Sequence, residues 1–254
     1  MSETSKGVAW VTGAGSGIGR ALVKRLATNG WIVAASARTA RDLDSLAAEV
    51  PGRITSFQLD VTDERACVAT VERIEASLGP IALAVFNAGS YFPTTADDFS
   101  VANFRKTVDV NLMGEVNCMG PVAPLMVKRR AGHIVIMASL TGYVGLPTAA
   151  SYGATKAALI SMAQAFRPDF ERYGVAITVV NPGFVKTPAT DKNDFPMPFL
   201  IGVDEAVEHI VKGLASRRFE ISFPWQMNLL IKLLAWLPNG LKFAITKNMI
   251  PTKK

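Results

Sequence analysis

Val8-Ala9-Trp10-Val11-Thr12-Gly13-Ala14-Gly15-Ser16-Gly17-Ile18-Gly19-Arg20 decides the fold. A short apolar run ends in a glycine-rich turn. Ile18, Leu22 and Leu26 then recur at helical spacing until Asn29-Gly30 stops the pattern. The turn departs from a strict G-x-G-x-x-G, because position 18 is Ile and position 20 is Arg, but it fits T-G-x3-G-x-G. Glycines at such a turn let the backbone approach a pyrophosphate whose charge faces the N-terminus of the next helix. Gly13, Ser16, Gly17, Ile18 and Gly19 are therefore candidate phosphate-binding residues.

The same rhythm continues along the chain. Trp31–Ala35, Ile54–Leu59, Ile81–Phe86, His133–Met137, Val175–Val180 and Phe219–Phe223 read as further strands. Arg41–Val50 reads as a polar-faced helix, and Thr62-Asp63-Glu64 opens another with capping chemistry. Continuous apolar strands separated by helices predict an α/β fold: one doubly wound parallel sheet of about seven strands, covered on both faces. No repeat or linker divides the chain. The expected organisation is a catalytic unit over 1–223, with a substrate loop over 187–203, and a helical extension over 224–254 packed on the same domain.

Composition excludes other classes. The chain has 254 residues, 49% hydrophobic and 19% charged, so it is neither disordered nor a disulfide scaffold. Cys67 and Cys118 belong to no metal-spaced cluster and read as small core residues in a reducing compartment. No metal site is expected. The N-terminus carries no signal-peptide pattern and no stretch is long enough to span a membrane, which predicts a cytoplasmic protein. The net charge is +6, yet after Glu220 no acid occurs, while Lys232, Lys242, Lys247, Lys253 and Lys254 do. The excess is thus a C-terminal feature without clustered arginines, and nucleic acid is not an expected partner.

Two constellations carry chemistry. An NAD site has an acid at the tip of the second strand to bind the ribose 2′-hydroxyl. Here that tip reads Ala35-Ser36-Ala37-Arg38-Thr39. A guanidinium binds a 2′-phosphate where an acid would repel it, which predicts NADP(H) with Arg38 as anchor and Ser36 and Thr39 as helpers. Asp42 and Asp44 are expected to face solvent. The second constellation is Tyr152 and Lys156, four apart on one helical face, with Ser139 at the end of the fifth strand. A free phenol titrates near 10, and ionising it near neutrality needs about 4 kcal/mol, part of which an adjacent ammonium can supply.

Taken together, these pieces resemble the short-chain dehydrogenase/reductase family from about Lys6 to Phe223. The matching motifs are Thr12-Gly13-x3-Gly17-x-Gly19, Asp60-Val61, Asn87-Ala88-Gly89, Asn111, Ser139, Tyr152-x3-Lys156 and Asn181-Pro182-Gly183 with Thr187. The resemblance implies a proton-donating Tyr152, a carbonyl-positioning Ser139, a Lys156 on the nicotinamide ribose, and an Asn111 that holds a relay water from the helix after strand four. It further implies that Asp60 and Val61 contact the adenine and that Asn87, Ala88 and Gly89 line its ribose. Pro182, Gly183, Val185 and Thr187 would hold the carboxamide. Two departures stand out: Gly153 follows the tyrosine, and Ser16 stands where many NADP-preferring members carry a base.

The family's variable end leaves the substrate open. Phe195-Pro196-Met197-Pro198-Phe199-Leu200, with Met137, Leu140, Tyr143, Val144 and Leu146, points to a lipophilic ketone, aldehyde or secondary alcohol. The stretch from Trp225 is apolar nearly all round, as a buried helix is. It would cover the cleft or a partner subunit, or with basic 241–250 make peripheral contact with an anionic membrane. A homodimer and a homotetramer both fit. The leading function is an NADPH-dependent carbonyl reductase; the alternatives are a membrane-associated lipid or sterol reductase and a non-catalytic NADP(H) sensor.

Overall fold

The computed structural model describes residues 6–188, 190–192 and 195–250. Ala189, Asn193 and Asp194 of the expected substrate loop, the first five residues, and residues 251–254 of the expected extension lie outside the described residues. Seven strands form one parallel sheet in the order β3-β2-β1-β4-β5-β6-β7. They are β1 Val8–Thr12, β2 Ile32–Ala37, β3 Ile54–Gln58, β4 Ile81–Phe86, β5 Gly132–Met137, β6 Val175–Pro182 and β7 Glu220–Phe223.

Alternation of side chains along a strand builds a core on each face. In β1, Val8 and Trp10 join one core, with Val122 and Leu159 from the helices there. Ala9 and Val11 join the other, with Leu22, Leu43 and Ile210. β5 repeats this, with Ile134 and Ile136 on the first face and Val135 and Met137 on the second. Strands buried on both sides must be apolar throughout, which is why these runs are continuous in the sequence. The one polar group in the middle of β1, the Trp10 indole N–H, donates to Ser36 Oγ on β2 at 2.9 Å.

The helices are α1 Gly17–Thr28, α2 Ala40–Glu49, α3 Glu64–Ser77, α4 Val101–Val108, α5 Gly114–Arg129, α6 Ala150–Arg172, α7 Val203–Ala215, α8 Trp225–Trp236 and α9 Asn239–Lys247. Asp63 caps α3 by accepting from the Ala66 N–H, as its spacing predicts. The buried thiols Cys67 and Cys118 meet where α3 packs on α5, with sulfurs 3.7 Å apart. None of the described helices is long and apolar enough to cross a membrane.

In the single chain the Trp225 stretch is buried on one side only. Only Met227, Ile231 and Leu234 of α8 are buried, whereas Trp225, Leu229, Leu230, Leu233 and Trp236 stay exposed. The cause is its position at the sheet edge beyond β7. One side packs on Leu140 and Val144, and among the described residues the side chains of the other stay exposed. The Lys232 ammonium ties this helix to Glu220 on β7 at 2.8 Å.

Candidate active site

Strand order reverses between β1 and β4, so the connections leaving their carboxyl ends turn to opposite faces of the sheet and open a crevice. A cavity of about 1550 Å³ lies there. It exceeds the ~300–1000 Å³ of an ordinary small-ligand pocket, leaving room for a dinucleotide and a second molecule.

The glycine turn forms one wall. Gly13 and Gly17 take φ of +67° and +54°, conformations that favour glycine. A Cβ on Gly13 would come within 2.8 Å of the Ala88 Cα, and one on Gly19 would run into the Gly13 carbonyl. Gly19 therefore serves close helix–strand packing and does not line the cavity, whereas Gly13, Ser16, Gly17 and Ile18 do. Ser16 stands at the N-cap of α1 with no side-chain capping bond, so this N-terminus is turned to the cavity through its backbone.

Thr12 and Asn87 lock the turn to β4. The Thr12 hydroxyl accepts from the Asn87 and Ala88 N–H groups at 3.0 and 3.2 Å. The Asn87 amide in return donates to the Thr12 and Gly13 carbonyls. Thr12 is a structural partner that sequence reading left inside a motif without a role of its own.

At the tips of β2 and β3, Arg38, Thr39, Asp60 and Val61 line the cavity. Burial alone would raise the Asp60 carboxyl, but the Thr62 N–H and hydroxyl, with Arg38 nearby, outweigh it and hold it below its ordinary value. The structure does not bring Ser36 to this wall: its hydroxyl is buried against Trp10. Asp42 is exposed as expected, yet it also stands at the cavity rim beside Gly15.

The opposite wall holds Ser139, Tyr152 and Lys156. Ser139 follows β5 and its hydroxyl accepts from the Thr141 N–H and hydroxyl at 3.2 and 3.0 Å. Tyr152 and Lys156 are one turn apart on α6, with the ammonium 5.7 Å from the phenol ring centroid. Tyr91 packs edge-on against Tyr152, their centroids 5.6 Å apart. Lys156 is almost wholly buried and donates to the Met137 carbonyl at 2.5 Å. Gly89, Pro182, Gly183, Val185 and Thr187 complete this side.

Asn111 does not reach the cavity wall. It belongs to a π-helical turn, Asp109–Met113, between α4 and α5. Its carboxamide accepts from the Ser90 N–H at 2.7 Å and donates to the Ser90 carbonyl at 2.8 Å, bracing the chain after Gly89. π-turns of this kind are frequent at functional sites. Gly114 follows, and because a Cβ there would strike Val61, its absence lets α5 approach that residue closely.

That approach buries Glu115, which sequence reading missed. Glu115 is 2% exposed, neither carboxyl oxygen has a hydrogen-bond partner, and Oε1 lies 3.6 Å from the Lys156 ammonium. Burial pushes its pKa up to about 8 against the pull of Lys156. Its signal in the sequence was a lone acid in an otherwise uncharged stretch, Val110 to Met126.

The far end of the cavity is apolar. Leu140, Leu146, Phe184, Phe195, Met227 and Ile231 face it. Tyr143 and Val144, expected beside the serine, pack instead under α8.

With this geometry in place, comparison decides the family. A family model described as short chain dehydrogenase matches residues 7–196. The chain belongs to the short-chain dehydrogenase family. It is 37% identical to an uncharacterized oxidoreductase of Myxococcus xanthus over 98% of this chain and 100% of that one. It is 34% identical to the 3-oxoacyl-[acyl-carrier-protein] reductase of Thermotoga maritima over 73% of this chain and 76% of that one. A crystal structure of a short-chain dehydrogenase from Streptomyces avermitilis superposes with a TM-score of 0.82, at 22% identity and 97% coverage of both chains, a likeness of fold. The chain is thus an oxidoreductase of a family that uses a nicotinamide cofactor and acts on small molecules.

Proposed function

We propose that this short-chain dehydrogenase is an NADPH-dependent carbonyl reductase, reversible as an alcohol dehydrogenase, acting on a lipophilic ketone, aldehyde or secondary alcohol. The observation that carries this is one cavity joining the glycine turn and Arg38 at one end to Ser139, Tyr152 and Lys156 and then to an apolar chamber.

The residues present fit a dinucleotide phosphate. Gly13 and Gly17 leave the turn without side chains, and the α1 N-terminus faces the same space, a favourable place for a pyrophosphate. Arg38 stands at the β2 tip where an NAD site places an acid, and supplies a bidentate partner for a 2′-phosphate. Asp60, Val61, Ala88 and Gly89 would border the adenosine, and Pro182, Gly183, Val185 and Thr187 the carboxamide. When bound, the nicotinamide supplies hydride in reduction or accepts it in oxidation.

The chain's own residues handle the proton and the oxygen. Ser139 donates its hydroxyl proton in a hydrogen bond to the carbonyl oxygen and fixes its place. Tyr152 gives its phenolic proton to that oxygen in reduction, and takes it back from the hydroxyl in oxidation. The Lys156 ammonium favours negative charge on the tyrosine oxygen. Asn111 acts from behind, holding Ser90 and with it the wall that carries Gly89. The name of the Thermotoga relative, a reductase of 3-oxoacyl groups, supports carbonyl reduction.

Equilibrium binding of NADPH and NADH, followed by nicotinamide fluorescence, tests the cofactor assignment. NADPH should bind more tightly, and Arg38→Ala should weaken it by about 10–100-fold while leaving NADH nearly unchanged. Equal binding of the two cofactors overturns the assignment. Tyr152→Phe should abolish turnover of ketones while retaining NADPH binding; an active variant would sink the mechanism.

A further inference from the structure

We propose that the outer face of α8 and α9 docks onto the surface of an anionic lipid bilayer. Trp225 and Trp236 stand at the two ends of α8, 69% and 91% exposed. Leu229, Leu230 and Leu233 lie exposed between them at helical spacing, and Leu241, Phe243 and Ile245 of α9 are exposed as well. The apolar stripe along α8 marks a binding surface, because single exposed apolar residues are ordinary and a whole stripe is not.

Charge selects the occupant. Glu220 is the last acid of the chain, and Lys232 on α8 is engaged with it. The remaining lysines of this region, Lys242 and Lys247 on α9 with Lys253 and Lys254 beyond the described residues, face no acid on their own segment. Lysines beside an exposed apolar face match a surface of acidic headgroups over hydrocarbon. Tryptophan at both ends of the apolar stripe matches the same boundary, where the indole ring lies against headgroups. An acidic protein partner would satisfy the lysines but not so broad an apolar stripe. A second copy of this chain paired face to face would set Lys242 and Lys247 against the same two lysines.

The docking places the site. The inner side of α8, Met227 and Ile231, and the segment after α9, Met249 and Ile250, line the apolar end of the cavity. A bilayer against the outer face would thus lie one helix away from the chamber.

The full chain is mixed with vesicles of phosphatidylcholine alone, or of phosphatidylcholine with roughly a quarter phosphatidylserine, and floated on a density gradient. The expected result is flotation with the phosphatidylserine vesicles, weakened by salt, with a blue shift of tryptophan emission. Lys242→Glu with Lys247→Glu should weaken binding by at least about tenfold. Trp236→Ala, at a residue too exposed to matter for folding, should also weaken it and remove part of the blue shift. No flotation, or flotation that ignores both variants, overturns the proposal. So does a stable oligomer in size-exclusion chromatography that Trp236→Ala dissociates and that does not bind vesicles, because the face is then a subunit interface.

Discussion

Replacing Glu115 by Gln tests the least expected part of the site. The carboxyl is buried, without hydrogen-bond partners, 3.6 Å from the Lys156 ammonium, and its pKa is pushed up to about 8 from 4.5. The folded state therefore holds this proton more tightly than the unfolded state does. Stability is fully present below pH 4.5 and is lost as pH rises toward 8. Integrating that linkage between pH 5 and pH 8 gives a loss of roughly 3–4 kcal/mol. Gln cannot titrate. Whatever fixed cost it brings, in packing or beside Lys156, is the same at both pH values and cancels. Urea unfolding of wild type and Glu115→Gln at pH 5 and pH 8 reads the effect directly. The stability of the variant relative to wild type should rise by roughly 3–4 kcal/mol between the two. An unchanged difference would refute the reasoning and mean that Glu115 is an ordinary ionised partner of Lys156. Catalysis gives a second reading. Once Glu115 ionises it opposes the lysine charge that favours a tyrosine anion, so the ratio of variant to wild-type oxidation rate should climb above pH 8.

Ser139→Ala should lower turnover by about 10²–10³-fold while cofactor binding holds, because it removes one donor to the reacting oxygen; steady-state kinetics beside fluorescence titration checks this. Gly19→Ala pushes a methyl group into the Gly13 carbonyl and the Asn87 amide. It should destabilise the protein by roughly 1–3 kcal/mol and weaken NADPH binding, seen in thermal unfolding with and without cofactor.

Sequence alone located all seven strands to within about two residues, because a parallel sheet buried on both faces demands continuous apolar runs. That Ser16, Arg38, Ser139, Tyr152 and Lys156 line one cavity follows from the same kind of local spacing, since each sits at a strand end, at a helix N-cap or on a helix face. What failed to show was set by packing between distant segments. Ser36 looked available at the β2 tip until Trp10, 26 residues earlier, took its hydroxyl. Asn111 read as part of a regular helix, whereas the π-turn that holds it to Ser90 leaves no mark in apolar periodicity.

Glu115 and α8 show the same limit from opposite sides. A lone acid on a helix is ordinarily solvated, and nothing near position 115 announces that Gly114 will let α5 press against Val61 and turn that acid inward. A helix apolar nearly all round is ordinarily buried, and nothing near position 225 announces that β7 is the edge strand of the sheet and that, among the described residues, the outer side of α8 stays exposed. In both cases composition fixes the energetic cost and topology decides whether the chain bears it. Burial pushes the Glu115 carboxyl toward keeping its proton, against the pull of the Lys156 ammonium. α8 has no such escape within one chain, because an exposed tryptophan cannot change its state. Its cost is relieved only by another surface, which is why the apolar face beyond β7 points outside the molecule for its partner.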